Sequence, residues 1–76
     1  MNTQSEVIKI ISEVFDFPIE NIKNDMTSDD IKKWDSLQQI NLIMTIESKF
    51  NIHFDMDDIF KIKSIDSIIH IVKSKL

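Results

Sequence analysis

Asp35-Ser36-Leu37 stands at the head of an apolar run with helical spacing, which puts the Ser36 hydroxyl at a helix start. Unpaired backbone N–H groups and the positive end of the helix dipole make that position hospitable to a phosphate. A serine after an aspartate there also serves as a plain cap, so placement alone leaves both readings standing. The other chemistry-bearing residues form weaker sets. His53 lies between apolar neighbours, His70 falls within a helical segment, and the two lack metal-ligand spacing, so both read as structural. Asp55, Asp57 and Asp58 resemble part of a calcium loop, but the glycine on which such a loop turns is missing. They read as caps of a short helix or as a contact for a basic partner. A triad of Ser36, a histidine and an aspartate would need a cleft that so short a chain can hardly form.

The elements that must position Ser36 come from 76 residues, 42% of them hydrophobic, with no Cys, no Gly and one Pro. That length allows one domain, 1–76, with a small core that must be held by packing, since disulfides and thiolate metal sites are excluded. The lack of glycine argues against GxGxxG and P-loop phosphate cradles and against tight primed hairpins. Few chain breakers favour helices. Nine lysines against thirteen acids give a net charge of −4, which opposes nucleic-acid binding and suits docking on basic partners. No apolar run approaches the roughly 18 residues of a membrane span, and the polar start Met1–Glu6 is no targeting segment. A cytoplasmic chain with neither nucleic acid nor membrane as partner is expected.

Thr3-Gln4-Ser5-Glu6 has the form of a capping box, with Thr3 as N-cap, and Val7, Ile10, Ile11, Val14 and Phe15 follow at helical spacing. This predicts a helix over 4–15, ended by Phe17-Pro18. No sustained period holds from Asp16 to Trp34, where Ile19, Ile22, Met26, Ile31 and Trp34 are dispersed among polar residues. Such a stretch reads as an ordered loop pinned to the core, with a short helical turn near Ser28 to Lys32. Asp35 caps the next helix, which runs to about Phe50. Asn51 to Asp55 forms a connector, because a lone strand would have no partner. Asp55 or Asp57 caps a short helix through Ile59, Phe60 and Ile62. Ser64 caps a last one with the stripe Ile65, Ile68, Ile69, Val72 and Leu76. The predicted fold is all-α, a four-helix bundle of three longer helices and one short helix with a long first loop.

The second helix carries more apolar surface than one core face needs. Leu42, Ile43, Ile46 and Phe50 fall within an arc of roughly 100°, while Leu37, Ile40 and Met44 form a second arc displaced by roughly 130°. So small a bundle cannot easily wrap both, so the second arc reads as an exposed docking surface beside Ser36. The bland reading is that the long loop, with Ile31 and Trp34, folds back over it.

Here the residues carry a resemblance. Asp35-Ser36-Leu37 followed by Leu42-Ile43, Ile46-Glu47, Phe50, Ile52 and Phe54 is similar to the acyl and peptidyl carrier protein family, and the resemblance spans essentially the whole chain. It implies a bundle in which Ser36 bears 4′-phosphopantetheine, delivered from coenzyme A by an Mg²⁺-dependent phosphopantetheinyl transferase. The thiol of that arm would carry acyl or aminoacyl thioesters between an adenylating or acyl-loading ligase and downstream transferring enzymes. By the same carry-over Asp35 assists recognition and metal placement, and Leu37 anchors the modifying and client enzymes. Family members are mostly monomers, so a monomeric carrier, and no enzyme in its own right, is expected. Trp34, Leu37, Ile40, Met44 and Glu47 are the candidate docking residues, with Trp34 equally well explained as a loop aromatic packed on the core. Ile46, Ile59 and Ile62 are the candidate acyl pocket, and are equally well explained as core.

The chain also departs from that family. Carriers of fatty-acid synthesis have a strongly acidic second helix and a Gly-rich approach to the DSL motif. Here Lys32-Lys33-Trp34 precedes it, and Gln38, Gln39, Asn41 and Ser48 stand where acids are expected. Docking would rest less on long-range attraction and more on apolar contact. The pattern looks like a carrier dedicated to one specialised pathway. The alternative is a small helical adaptor, or degenerate carrier, that binds partners without a prosthetic group.

Overall fold

Polar caps alternate with apolar stripes along the chain. The computed structural model, which describes residues 2–76, turns that alternation into four helices, with no strand among the described residues. Helix α1 spans Thr3–Phe15, α2 Ser36–Phe50, α3 Met56–Phe60 and α4 Ile65–Lys75, three longer helices and one short one. The bundle core joins Val7, Ile11 and Phe15 of α1 to Leu42 and Ile46 of α2 and to Ile65, Ile68 and Val72 of α4, all buried.

The caps explain where the helices begin. The cap of α1 is Asn2, whose Oδ1 accepts from the Gln4 amide at 2.8 Å, so Thr3 is the first helical residue instead of the expected cap. Asparagine accepts as well as threonine at that position and sits one residue earlier. Helix α1 ends at Asp16, which adopts the left-handed conformation (φ 50°), with the Ser12 hydroxyl donating to the Phe17 carbonyl at 2.6 Å just before Pro18. Asp35 caps α2, Asp55 caps α3 in a capping box with Asp58, and Ser64 caps α4 in a second box with Ser67.

The long connection from α1 to α2 is ordered by specific ties. It holds a 3₁₀ turn at Ile19–Asn21, and near the Ser28–Lys32 position expected it makes a single hydrogen-bonded turn, the Asp30 amide donating to the Thr27 carbonyl at 2.9 Å. The Asp30 carboxylate accepts from the Thr27 amide at 2.9 Å and the Thr27 hydroxyl from the Asp29 amide at 3.2 Å, a reciprocal cap that fixes this one turn. Two backbone bonds then fasten the loop to α4: the Ile65 amide donates to the Met26 carbonyl (2.9 Å) and the Asp66 amide to the Asn24 carbonyl (2.8 Å). They satisfy N–H groups that the first turn of a helix leaves without partners. Ile31 and Trp34 of the loop are buried in the core. In α4 the expected stripe is buried as far as Val72, joined by Ile71, whereas Leu76, one residue past the last turn of α4, is exposed.

Candidate functional site

The start of α2 is set by short-range bonds. The Trp34 amide donates to Ile31 and the Asp35 amide to Lys33, both at 3.0 Å, so the chain turns tightly into the helix. Asp35 has extended backbone, its Oδ1 accepts from the Gln38 amide at 2.8 Å, and its carbonyl accepts the first helical bond, from Gln39. Ser36 is then the first helical residue, with its side chain exposed. By helix geometry the Ser36 and Leu37 amides have no carbonyl one turn below them.

Beside Ser36 lies a depression of about 390 Å³ lined by Ser28, Trp34, Asp35, Ser36, Gln39 and Ile40. Trp34 forms its inner wall. The indole is only 6% exposed, stacks on Phe15 with ring centres 5.3 Å apart, and donates from Nε1 to Gln39 Oε1 at 2.8 Å. The donors around the serine are the Ser28 hydroxyl, the Gln39 carboxamide and the end of α2, beside the Asp35 carboxylate. That chemistry fits an anionic ester on Ser36 Oγ better than a cationic one. Ser28 and Gln39 escaped the sequence reading as wall residues. Gln39 had a signal, since it lies one helical turn from Ser36, while Ser28 had none.

The structure brings three expected docking residues together and separates two others from them. Leu37, Ile40 and Met44 are exposed by 67%, 54% and 60%, on the arc of α2 that faces away from the core. Trp34 is not among them, because its ring is the loop aromatic packed on Phe15. Glu47 is turned inward as well: its Oε2 accepts from the Phe54 amide at 2.8 Å and lies 3.5 Å from His53 Nδ1, so it staples the 51–55 connector to α2. Of the pocket candidates, Ile46 is wholly buried, while Ile59 and Ile62 are half-buried against the same core.

The weaker sets resolve as structure. Asp55 and Asp58 cap α3, and Asp58 also meets Lys75 Nζ at 2.6 Å, so these acids are occupied within the fold. Both histidines are exposed, and among the described residues no group of three or more acidic or histidine side chains could hold a metal ion. Among the described residues no helix is long and apolar enough to cross a membrane.

Comparison with known proteins agrees with this geometry. Residues 5–72 match the family model described as a phosphopantetheine attachment site. An acyl carrier protein of Buchnera aphidicola subsp. Schizaphis graminum is 31% identical over 74 residues, which cover 97% of this chain and 94% of that protein. One from Buchnera aphidicola subsp. Acyrthosiphon pisum is 32% identical over 74 residues, covering 97% and 92%. Among solved structures, the holo acyl carrier protein of Geobacter metallireducens superposes with a TM-score of 0.85 at 30% identity, over 99% of this chain and 86% of that one.

Proposed function

The chain belongs to the carrier family defined by a phosphopantetheine attachment site, and on that premise we propose that Ser36 is the serine that bears the 4′-phosphopantetheine arm. Membership makes it a carrier of acyl groups whose partners do the catalysis. When bound, the arm supplies a terminal thiol that holds acyl or aminoacyl groups as thioesters. A single observation carries the choice of serine: Ser36 is exposed as the first residue of α2, behind a capping aspartate and beside the depression.

The chain's own residues divide the remaining work. Ser36 Oγ attacks the phosphorus of coenzyme A that bears the pantetheine and gives up its proton to a base of the phosphopantetheinyl transferase, while the pyrophosphate P–O bond breaks and 3′,5′-adenosine bisphosphate leaves. Asp35 is held in place by Oδ1, which accepts from the Gln38 amide. Its second oxygen is left to help place the Mg²⁺ brought by the transferase. Leu37, Ile40 and Met44 form the apolar patch on which the transferase, an adenylating or acyl-loading ligase and the downstream transferring enzymes dock in turn. A tether on a small carrier raises the local concentration of its cargo at each docked enzyme. Ile59 and Ile62, half-buried around the five-residue α3, mark where the bundle parts most easily to admit an acyl tail against Ile46.

The pathway served is a specialised one. Residues 36–46 of α2 carry no charge, which suits partners with an apolar, hydrogen-bonding face and disfavours those selected by a basic patch. The same feature favours a second reading, an adaptor that docks without an arm. Incubation with coenzyme A, Mg²⁺ and a broad-specificity phosphopantetheinyl transferase, followed by mass spectrometry, separates the two. A gain of one phosphopantetheine that is absent in Ser36→Ala is the expected result. No gain with several transferases, together with partner binding that survives Ser36→Ala, would replace the carrier reading by the adaptor.

A further inference from the structure

Resting on the reading of Ser36 as the attachment serine, we propose that Gln39 is the residue that holds the phosphodiester of the arm, through side-chain amide hydrogens oriented by Trp34. An indole N–H can only donate, so the Gln39 atom 2.8 Å from Trp34 Nε1 must be the amide oxygen. Oxygen and nitrogen share one carbon. Pinning Oε1 on the indole therefore turns Nε2, with its two hydrogens, away from Trp34. Trp34 cannot follow a flip, because it is buried and stacked on Phe15. Gln39 lies three residues beyond Ser36 and hence on the same face of α2, and both line the one depression.

Of the side chains that line the depression, only those of Ser28 and Gln39 offer hydrogens to an ester on Ser36, since Asp35 presents a carboxylate and Ile40 is apolar; Lys32, Lys33 and Gln38 are not on that lining. Neutral donors suit a phosphodiester, whose single negative charge needs orientation more than neutralisation. The Ser28 hydroxyl on the same lining and the positive end of α2 add to the same preference. Gln39 thereby becomes a positioning residue. It fixes the first bonds of a flexible tether and so the direction in which the tether leaves the bundle.

The test uses the full ¹⁵N-labelled chain before and after loading by a transferase with coenzyme A and Mg²⁺. The Gln39 Nε2 proton signals are expected to show the largest shift of any side-chain amide on loading, well above those of Gln38. In Trp34→Phe the donor that orients Gln39 is gone, and the shift is expected to fall to the Gln38 level. In Gln39→Glu the indole keeps an acceptor while the phosphate loses its donors, so the ³¹P resonance of the loaded arm is expected to move towards that of the same phosphodiester in an unfolded phosphopantetheinyl-serine peptide. If mass spectrometry shows the arm on Ser36 while the Gln39 signals stay still and the ³¹P resonance is unchanged in Gln39→Glu, this inference alone is overturned. Absence of the arm would overturn the attachment reading and this inference with it.

Discussion

At the start of α2, neighbouring residues of similar apolar character have opposite duties. Trp34 is 6% exposed and Leu37 67% exposed, though only three positions separate them. Truncating Trp34 to alanine removes a buried ring stacked on Phe15, and urea unfolding is expected to show a loss of about 3–5 kcal/mol. Leu37→Ala empties nothing in the core, so its stability is expected to stay within about 0.5 kcal/mol of the parent. Its effect should appear instead as a raised KM for the loading transferase. Equal destabilisation by the two substitutions would contradict the division between core and docking surface. Ser36 and its exposed apolar neighbours were readable from the sequence because the signal is local: a cap, a hydroxyl and a helical period. The side taken by Trp34 was not. Its burial depends on Phe15, nineteen positions away in another element, and no local pattern encodes that meeting. Glu47 was misplaced for a related reason, since its partner is a backbone amide, that of Phe54, which leaves no mark in side-chain chemistry.

Among the elements, the helices were foreseen to within a residue or two because each has a polar cap and an apolar stripe. For the connection between α1 and α2 the sequence shows an ordered loop pinned to the core with a turn near Ser28 to Lys32, but not what it is fastened to. Its ties to α4 run between backbone groups, from Ile65 to Met26 and from Asp66 to Asn24, and any residues could make them. These bonds change what the first turn of α4 should do in solution. The first amides of a helix ordinarily exchange fast, having no acceptor in their own helix. Here the Ile65 and Asp66 amides are expected to exchange as slowly as those in the middle of α4, as measured by hydrogen–deuterium exchange with NMR detection. Rapid exchange at both would mean that the loop is not fastened to α4 in solution. The loop would then no longer hold Trp34 against the base of Ser36.

On the scale of the whole molecule, charge is distributed unevenly, and two consequences follow. The chain carries a net −4, yet residues 36–46 of α2 have none of it. Raising salt from about 0.01 M to about 0.1 M shortens the Debye length from roughly 30 Å to roughly 10 Å, and the transferase Kd is expected to stay within about twofold. A steep salt dependence would show that acids outside α2 steer docking. The acids at α3 do a different job. Asp58 Oδ2 meets Lys75 Nζ at 2.6 Å and also accepts from the Asp55 amide, joining the short helix to the end of α4. The Lys75 hydrogen bond, with the Asp55 amide behind it, holds the Asp58 carboxyl below the usual carboxylate range. The same bond raises the Lys75 ammonium above the usual lysine range. A carboxyl lowered on folding stabilises above its unfolded value and loses that contribution as pH falls through the folded one; a raised ammonium loses its contribution as pH rises through its own folded value. The clasp is therefore complete between about pH 5 and about pH 9 and fades outside that window. Asp58→Asn keeps an oxygen for the Asp55 amide and removes only the charge. Its Tm, followed by circular dichroism, is expected to lie below that of the parent by a constant margin across the window. The margin should close as pH falls through the lowered value of Asp58, where the parent also loses the charge, and equal Tm values for the two proteins at neutral pH would show that the ion pair does not hold α3 in place.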